Sequence, residues 1–83
     1  MKTIHILYFA GVRDLVGCVE EDVLIPDGVA TLADFVPELL RARPALEGRL
    51  ASVRFAINEE FAQPSDRLAA GDVVALIPPV AGG

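Results

Sequence analysis

Only one long stretch of this chain repeats its apolar residues at helical spacing: Leu32, Phe35, Val36, Leu39 and Leu40. The other apolar runs alternate. Thr3 to Ala10 puts Ile4, Ile6 and Tyr8 on one face and His5, Leu7 and Phe9 on the other. Val19 to Ile25, Ser52 to Ile57 and Val73 to Ile77 read as further strands, and Phe61-Ala62 begins a short one. A lone amphipathic helix has no second helix to pack on, so it must cover a sheet. The expected class is α+β: a mixed sheet with one main helix packed on one face.

The punctuation between these runs is readable. Gly11 to Gly17 predicts a short helical turn bracketed by glycines, decorating a hairpin between the first two strands. Pro26-Asp27-Gly28, Asn58-Glu59-Glu60 and Gly71-Asp72 read as turns, and Gln63 to Arg67 as polar loop. Thr31 is the expected helix N-cap, with Asp34 as its weak capping-box partner near the positive end of the helix dipole. Pro37 lacks the N–H that would reach the Ala33 carbonyl, which predicts a kink or a late helix start. The helix should end before Pro44. Pro78-Pro79 stops the last strand.

Composition narrows the function. At 83 residues the chain has room for one domain and none for a separate cofactor domain. A net charge of −5 repels phosphate backbones, so nucleic acid is not an expected partner. Cys18 is the only cysteine, which excludes an internal disulfide, and ligand clusters for a metal are lacking. A disulfide-free domain of this size suits the reducing cytoplasm. The N-terminus lacks the apolar core of a signal peptide, and no apolar run approaches the roughly 20 residues needed to span a membrane.

Alternation leaves both faces of the sheet apolar. If Ile4, Ile6, Tyr8, Val53, Phe55, Ile57, Val74 and Leu76 face the helix, the other face carries Leu7, Phe9, Ala56, Ala75 and Ile77, with Phe61 nearby. Such a patch marks a protein–protein interface unless a loop covers it.

The final strand then runs into Ile77-Pro78-Pro79-Val80-Ala81-Gly82-Gly83. Proline extends and stiffens such a segment, and its last five steps reach roughly 15–18 Å. Gly82-Gly83 has no side chain to block a narrow channel. The shape suits threading a terminal carboxylate into another protein's active site; a frayed end is the plain alternative. The expected organisation is therefore a domain over residues 1–77 and an extended tail over 78–83.

Three segments carry a resemblance that spans nearly the whole chain: Leu7-Tyr8-Phe9-Ala10-Gly11-Val12-Arg13-Asp14-Leu15-Val16-Gly17, Phe55-Ala56-Ile57-Asn58-Glu59-Glu60, and Leu68 to Gly83 with its Pro-Pro-Val-Ala-Gly-Gly ending. The chain resembles the small subunit of molybdopterin synthase, a ubiquitin-like β-grasp sulfur carrier. That resemblance implies that Gly83 is adenylated by an activating enzyme using ATP, then converted by a sulfur donor to a thiocarboxylate. Sulfur would then pass to a cyclic pyranopterin monophosphate inside the large subunit, building the molybdopterin dithiolene. It implies no cofactor bound by this chain, a tail of Pro78, Pro79, Val80, Ala81 and Gly82 inserted in the partner, and contact positions at Phe9, Phe61 and Ile77. The family assembly is a heterotetramer, a dimer of large subunits with one small subunit at each end. The chain itself has no Gly-x-x-x-x-Gly-Lys phosphate loop and is not expected to be catalytic alone. Three alternatives remain: a sulfur carrier for thiamine, cysteine or tRNA thiolation, a ubiquitin-like modifier joined to lysines, and a plain interaction domain whose tail is inert. The single lysine, Lys2, limits chains linked through internal lysines.

Other residues have plainer expectations. Arg13 matches a family position and reads either as an interface contact or as a local partner of Asp14 or a loop carbonyl. His5 reads as a rim histidine without a partner cluster, and Cys18 as an inert loop thiol. Glu20, Glu21 and Asp22 read as a solvated edge that discourages strand-to-strand aggregation. Asp27, Glu59 and Glu60 read as turn residues, Tyr8 and Phe55 as core.

Overall fold

The computed structural model describes residues 1–79. Its elements are β1 (Lys2–Tyr8), α1 (Ala10–Val16), β2 (Glu20–Ile25), α2 (Leu32–Ala42), a 3-10 turn (Pro44–Leu46), β3 (Arg54–Ile57), β4 (Glu60–Phe61) and β5 (Val73–Ile77). They form a five-stranded sheet in the order β2-β1-β5-β3-β4. The central pair, β1 and β5, is parallel; the other pairs are antiparallel. This is the ubiquitin-like β-grasp arrangement, a mixed sheet with its main helix on one face. Each strand differs from its expected bounds by one or two residues, except β5, which starts and stops as expected.

Local chemistry explains the element ends. Gly17 ends α1 in the left-handed region at φ 91°, and its N–H donates to the Arg13 carbonyl. Thr31 Oγ1 accepts the Asp34 N–H at 3.3 Å, while the Asp34 carboxylate accepts the Ala30 N–H at 3.4 Å. These two bonds satisfy donors that the helix start leaves open. The helix does not start late: its first bond runs from the Phe35 N–H to the Thr31 carbonyl at 3.1 Å, and Pro37 lies inside it. Ala33 and Pro37 are both exposed, so water can serve the Ala33 carbonyl that Pro37 leaves without a helical donor.

The core lies between the sheet and α2. Ile4, Ile6, Val74 and Leu76 from the sheet and Phe35 and Leu39 from the helix are fully buried. Removing Phe35 to Ala would cost about 3–5 kcal/mol on this ground alone. Leu46, in the 3-10 turn, is equally buried, and Val29 and Leu68 close the margins. None of these three stands in an alternating or helical run, so periodicity does not reveal them. The loop holding Leu68 is tied to the helix start by the Leu68 N–H to the Ala30 carbonyl at 2.9 Å and by a bridge between Thr31 and Arg67.

One polar cluster clamps the helix to the sheet and corrects the expectation of a solvated edge at Glu21. Its carboxylate accepts the Tyr8 hydroxyl at 2.5 Å and both donors of the Arg43 fork, one at 2.6 Å. Arg43 is the C-cap of α2, so the cluster joins β1, β2 and the helix end. The Arg43 guanidinium, and secondarily the Tyr8 hydroxyl, holds the Glu21 carboxyl below its ordinary range against the opposing effect of burial. Burial, reinforced by Glu21, pushes the Tyr8 hydroxyl up.

Candidate functional site

The face of the sheet away from α2 carries a groove of about 360 Å³. Leu7, Phe9, Ala56, Phe61, Ala75 and Ile77 give it an apolar floor and walls, Val73 extends the floor, and Asn58 and Glu59 stand at one lip. Leu7, Phe9, Ala56, Ala75 and Ile77, with Phe61 nearby, are the residues alternation assigns to the outer face; Val73, Asn58 and Glu59 join them only in the structure. Strand register explains their convergence. Tyr8 pairs with Leu76 and Leu7 with Ala75 in the parallel ladder, while Ala56 pairs with Ala75 from the other side. Inward residues Tyr8 and Leu76 are therefore each followed by an outward one, Phe9 and Ile77.

The walls are large and open to solvent. Phe61 is 58% exposed and Phe9 45%. Phe9 is the N-cap of α1 and precedes Ala10, whose φ of 47° turns the chain sharply from strand to helix. Phe61 lies on β4, paired opposite Ala56. The Arg54 guanidinium stacks over its ring at 3.9 Å from the centroid, steadying it at a site where such contacts contribute about 0.5–1 kcal/mol.

Structure thus brings Phe9, Phe61 and Ile77 together. Arg13 is not with them: it is exposed on α1, its carbonyl caps that helix, and it makes no ion pair among the described residues, with Asp14 or otherwise. Pro78 is half-buried directly after the Ile77 wall and Pro79 is exposed, so these two prolines leave from one end of the groove. Val80, Ala81, Gly82 and Gly83 lie outside the described residues.

The opposite lip is polar and ordered. Asn58 and Glu59 form a two-residue hairpin turn with φ 51° and 72°, between Ile57 and Glu60, which pair across it. Positive φ at both positions is what a type I′ turn requires. The Asn58 side chain accepts the Val73 N–H at 2.9 Å and donates to Asp72 at 3.0 Å, locking the turn to the start of β5. Both residues read as simple turn formers in the sequence; only the sheet's register shows that they edge the groove. Glu60 opens β4 rather than closing the turn.

His5 lies beyond this lip, paired with Val73 in register. It does have partners: Nδ1 meets Asp22 at 2.6 Å and Nε2 meets Glu20 at 2.9 Å. Asp22 and then Glu20 raise the imidazole above its ordinary 6.5. Both ring nitrogens being engaged, His5 offers no lone pair for base catalysis when protonated. Cys18 is half-buried and packs against the core. Among the described residues no group of His, Cys, Asp or Glu could hold a metal ion, and no helix is long and apolar enough to cross a membrane.

Comparison with known proteins shows the family and the fold. The ThiS family profile matches residues 6–83. The molybdopterin synthase sulfur carrier subunit of Chlamydomonas reinhardtii is 39% identical over 82 residues, covering 96% of this chain and 98% of that one. Its counterpart from Mycobacterium tuberculosis is 36% identical over 86 residues, with both chains covered in full. The crystal structure of small archaeal modifier protein 1 from Haloferax volcanii superposes with a TM-score of 0.86 at 34% identity, covering 98% of this chain and 99% of that one.

Proposed function

Since the chain belongs to the ThiS family and has the molybdopterin synthase sulfur carrier subunits among its relatives, we propose that it carries sulfur on Gly83 for molybdopterin synthesis. The observation that supports this best is the junction at Ile77. The same residue closes the apolar groove and begins the Pro78–Gly83 tail, so a partner seated on the groove receives the tail beside it.

The chemistry follows from the carboxylate's inertness. As an anion it resists nucleophiles, so it must first become an acyl-adenylate. A Gly83 oxygen attacks the α-phosphorus of ATP and pyrophosphate leaves. The terminal sulfur of a persulfide donor then attacks the acyl carbon and AMP leaves, giving an acyl disulfide; a thiol cleaves its S–S bond, releasing the thiocarboxylate and forming a disulfide with the donor sulfur. Both steps take place on an adenylating enzyme, which binds the ATP; this chain is their protein substrate and binds no cofactor itself. The thiocarboxylate sulfur then bonds to a side-chain carbon of the cyclic pyranopterin monophosphate in the large subunit, and an oxygen substituent of that carbon leaves. Hydrolysis of the resulting thioester bond returns the Gly83 carboxylate, and two loaded carriers supply the two dithiolene sulfurs.

This chain's own residues position the group. Phe9, Phe61 and Ile77 supply the dock, and Pro78-Pro79 keeps the segment extended as it enters. Threading fixes the sulfur near its acceptor, which is where the rate gain from proximity arises. The two partners use one groove and one tail, so they compete. A reducing cytoplasm would preserve the thiocarboxylate.

The direct test is rescue. Expression of this chain should restore molybdopterin in cells lacking their own small subunit, and deletion of Gly83 should abolish that rescue. Failure of the intact, folded chain would favour sulfur delivery for thiamine, cysteine or tRNA thiolation. The Haloferax relative's name, a modifier protein, favours a second reading in which Gly83 joins lysines of other proteins. Recovery of Gly-Gly remnants on lysines would support it.

A further inference from the structure

Glu59 occupies a position where glycine is the unstrained choice. It is the second residue of the two-residue turn, with φ 72°, and a non-glycine residue there bears a cost that an Asn-Gly turn avoids. Strain of this kind, when retained, points toward function. The side chain lines the apolar groove and makes no ion pair among the described residues. Its neighbour Asn58 is fully used in holding the turn to Asp72 and Val73, so the lip is rigid where Glu59 stands.

The groove is also polarised along its length. Arg54 pairs with Ile77 at the tail end, and the Asn58-Glu59 turn lies at the other end, about 13 Å away at strand spacing. Asp22 and Glu20, on β2 at the far edge of the sheet, are paired with His5 and do not line the groove. One end of an otherwise apolar dock therefore carries the Glu59 carboxylate and the other a cation stacked on Phe61.

We propose that Glu59 is a docking residue that orients the tail-receiving partner by pairing with a basic side chain at the edge of that partner's apolar ridge. The occupant is the molybdopterin synthase large subunit, turned so that its basic edge meets Glu59 and its active-site mouth meets Pro78. The proposal rests on the reading of the groove as that subunit's dock. A cation seated the other way round would meet Arg54, and like charges brought together at an interface oppose the reversed pose.

The test is titration of purified large subunit with the full chain and its variants at low and high salt. Glu59→Lys should weaken binding about tenfold or more at low salt and less at high salt, while Glu59→Gln should weaken it less and reduce the wild-type salt dependence. Glu59→Gly should bind as weakly as Glu59→Gln while its thermal midpoint stays at or above wild type, separating charge from folding. Phe61→Glu serves as the control for the dock. If Phe61→Glu fails to bind while all Glu59 variants bind like wild type, the dock stands and the role of Glu59 is overturned. If Phe61→Glu binds like wild type, or the wild type does not bind, the dock itself fails and the proposal with it.

Discussion

The Phe9 N–H donates to the Leu76 carbonyl at 3.3 Å, one residue beyond the Tyr8–Leu76 pair that ends the parallel ladder. That bond holds the strand-to-helix turn against the last residues of β5. It sets the side chains of Phe9 and Ile77 on the same face, as two walls of one groove, directly before the tail. The groove and the start of the Pro78-Pro79 segment are thus one structural unit.

Truncating a wall should separate binding from folding. Phe9→Ala should weaken binding to the large subunit by about 2 kcal/mol, roughly 30-fold, as expected for a central aromatic anchor. Phe9 is already half out of the domain, so urea unfolding should show a loss of no more than about 1 kcal/mol. Isothermal titration and a urea curve on the same sample check both.

The Tyr8–Glu21–Arg43 cluster predicts an acid-sensitive contribution to stability. The Glu21 carboxyl is depressed in the folded chain, so its contribution is present above the unfolded value and is lost as pH falls through the folded one. Arg43→Gln should cost roughly 1–2 kcal/mol at neutral pH, since Arg43 is partly exposed, and should flatten that acid limb. Urea midpoints measured across the acidic range with both proteins read this directly.

His5 behaves in the opposite sense. Its raised value means that its contribution is full below the unfolded value and lost as pH rises through the folded one. A proton NMR titration should place its midpoint above 6.5, and Asp22→Asn should lower that midpoint more than Glu20→Gln, because Asp22 is the larger cause. Equal effects of the two substitutions would contradict the geometry.

Pro37 is tolerated in α2 at a cost. Pro37→Ala restores a donor to the Ala33 carbonyl on an exposed face. It should stabilise the chain by about 2–2.6 kcal/mol, the helix gain of about 3 being offset in part by the roughly 0.4–1 kcal/mol that a freer unfolded chain costs. Urea unfolding measures the difference, and a destabilised variant would show that Pro37 is needed for the packing of α2.

What was legible in the sequence was what local pattern controls. Alternation through Leu7-Tyr8-Phe9 and Val73 to Ile77 is a property of consecutive residues, and it revealed both faces of the sheet, the helix-side core and the outer groove. Thr31 and Gly17 announced helix ends because capping acts over one turn. Residues whose neighbours lie far along the chain were not legible. Glu21 looks like part of a solvated run, yet it meets Arg43 across the core margin. Leu46 is isolated in sequence and fully buried, because the 3-10 turn packs against α1 and α2. His5 found its carboxylates only through the β1–β2 register, which pairs it with Asp22. Glu59 became part of the site only when its turn met β5.

The most direct test of the central claim is the intact mass of the chain after incubation with its adenylating enzyme, ATP and a sulfur donor. The account predicts a gain equal to exchange of one oxygen for sulfur, absent when Gly83 is deleted and reversed when the loaded chain is mixed with the large subunit and its pterin substrate. An unchanged mass under conditions that load a known carrier would contradict it.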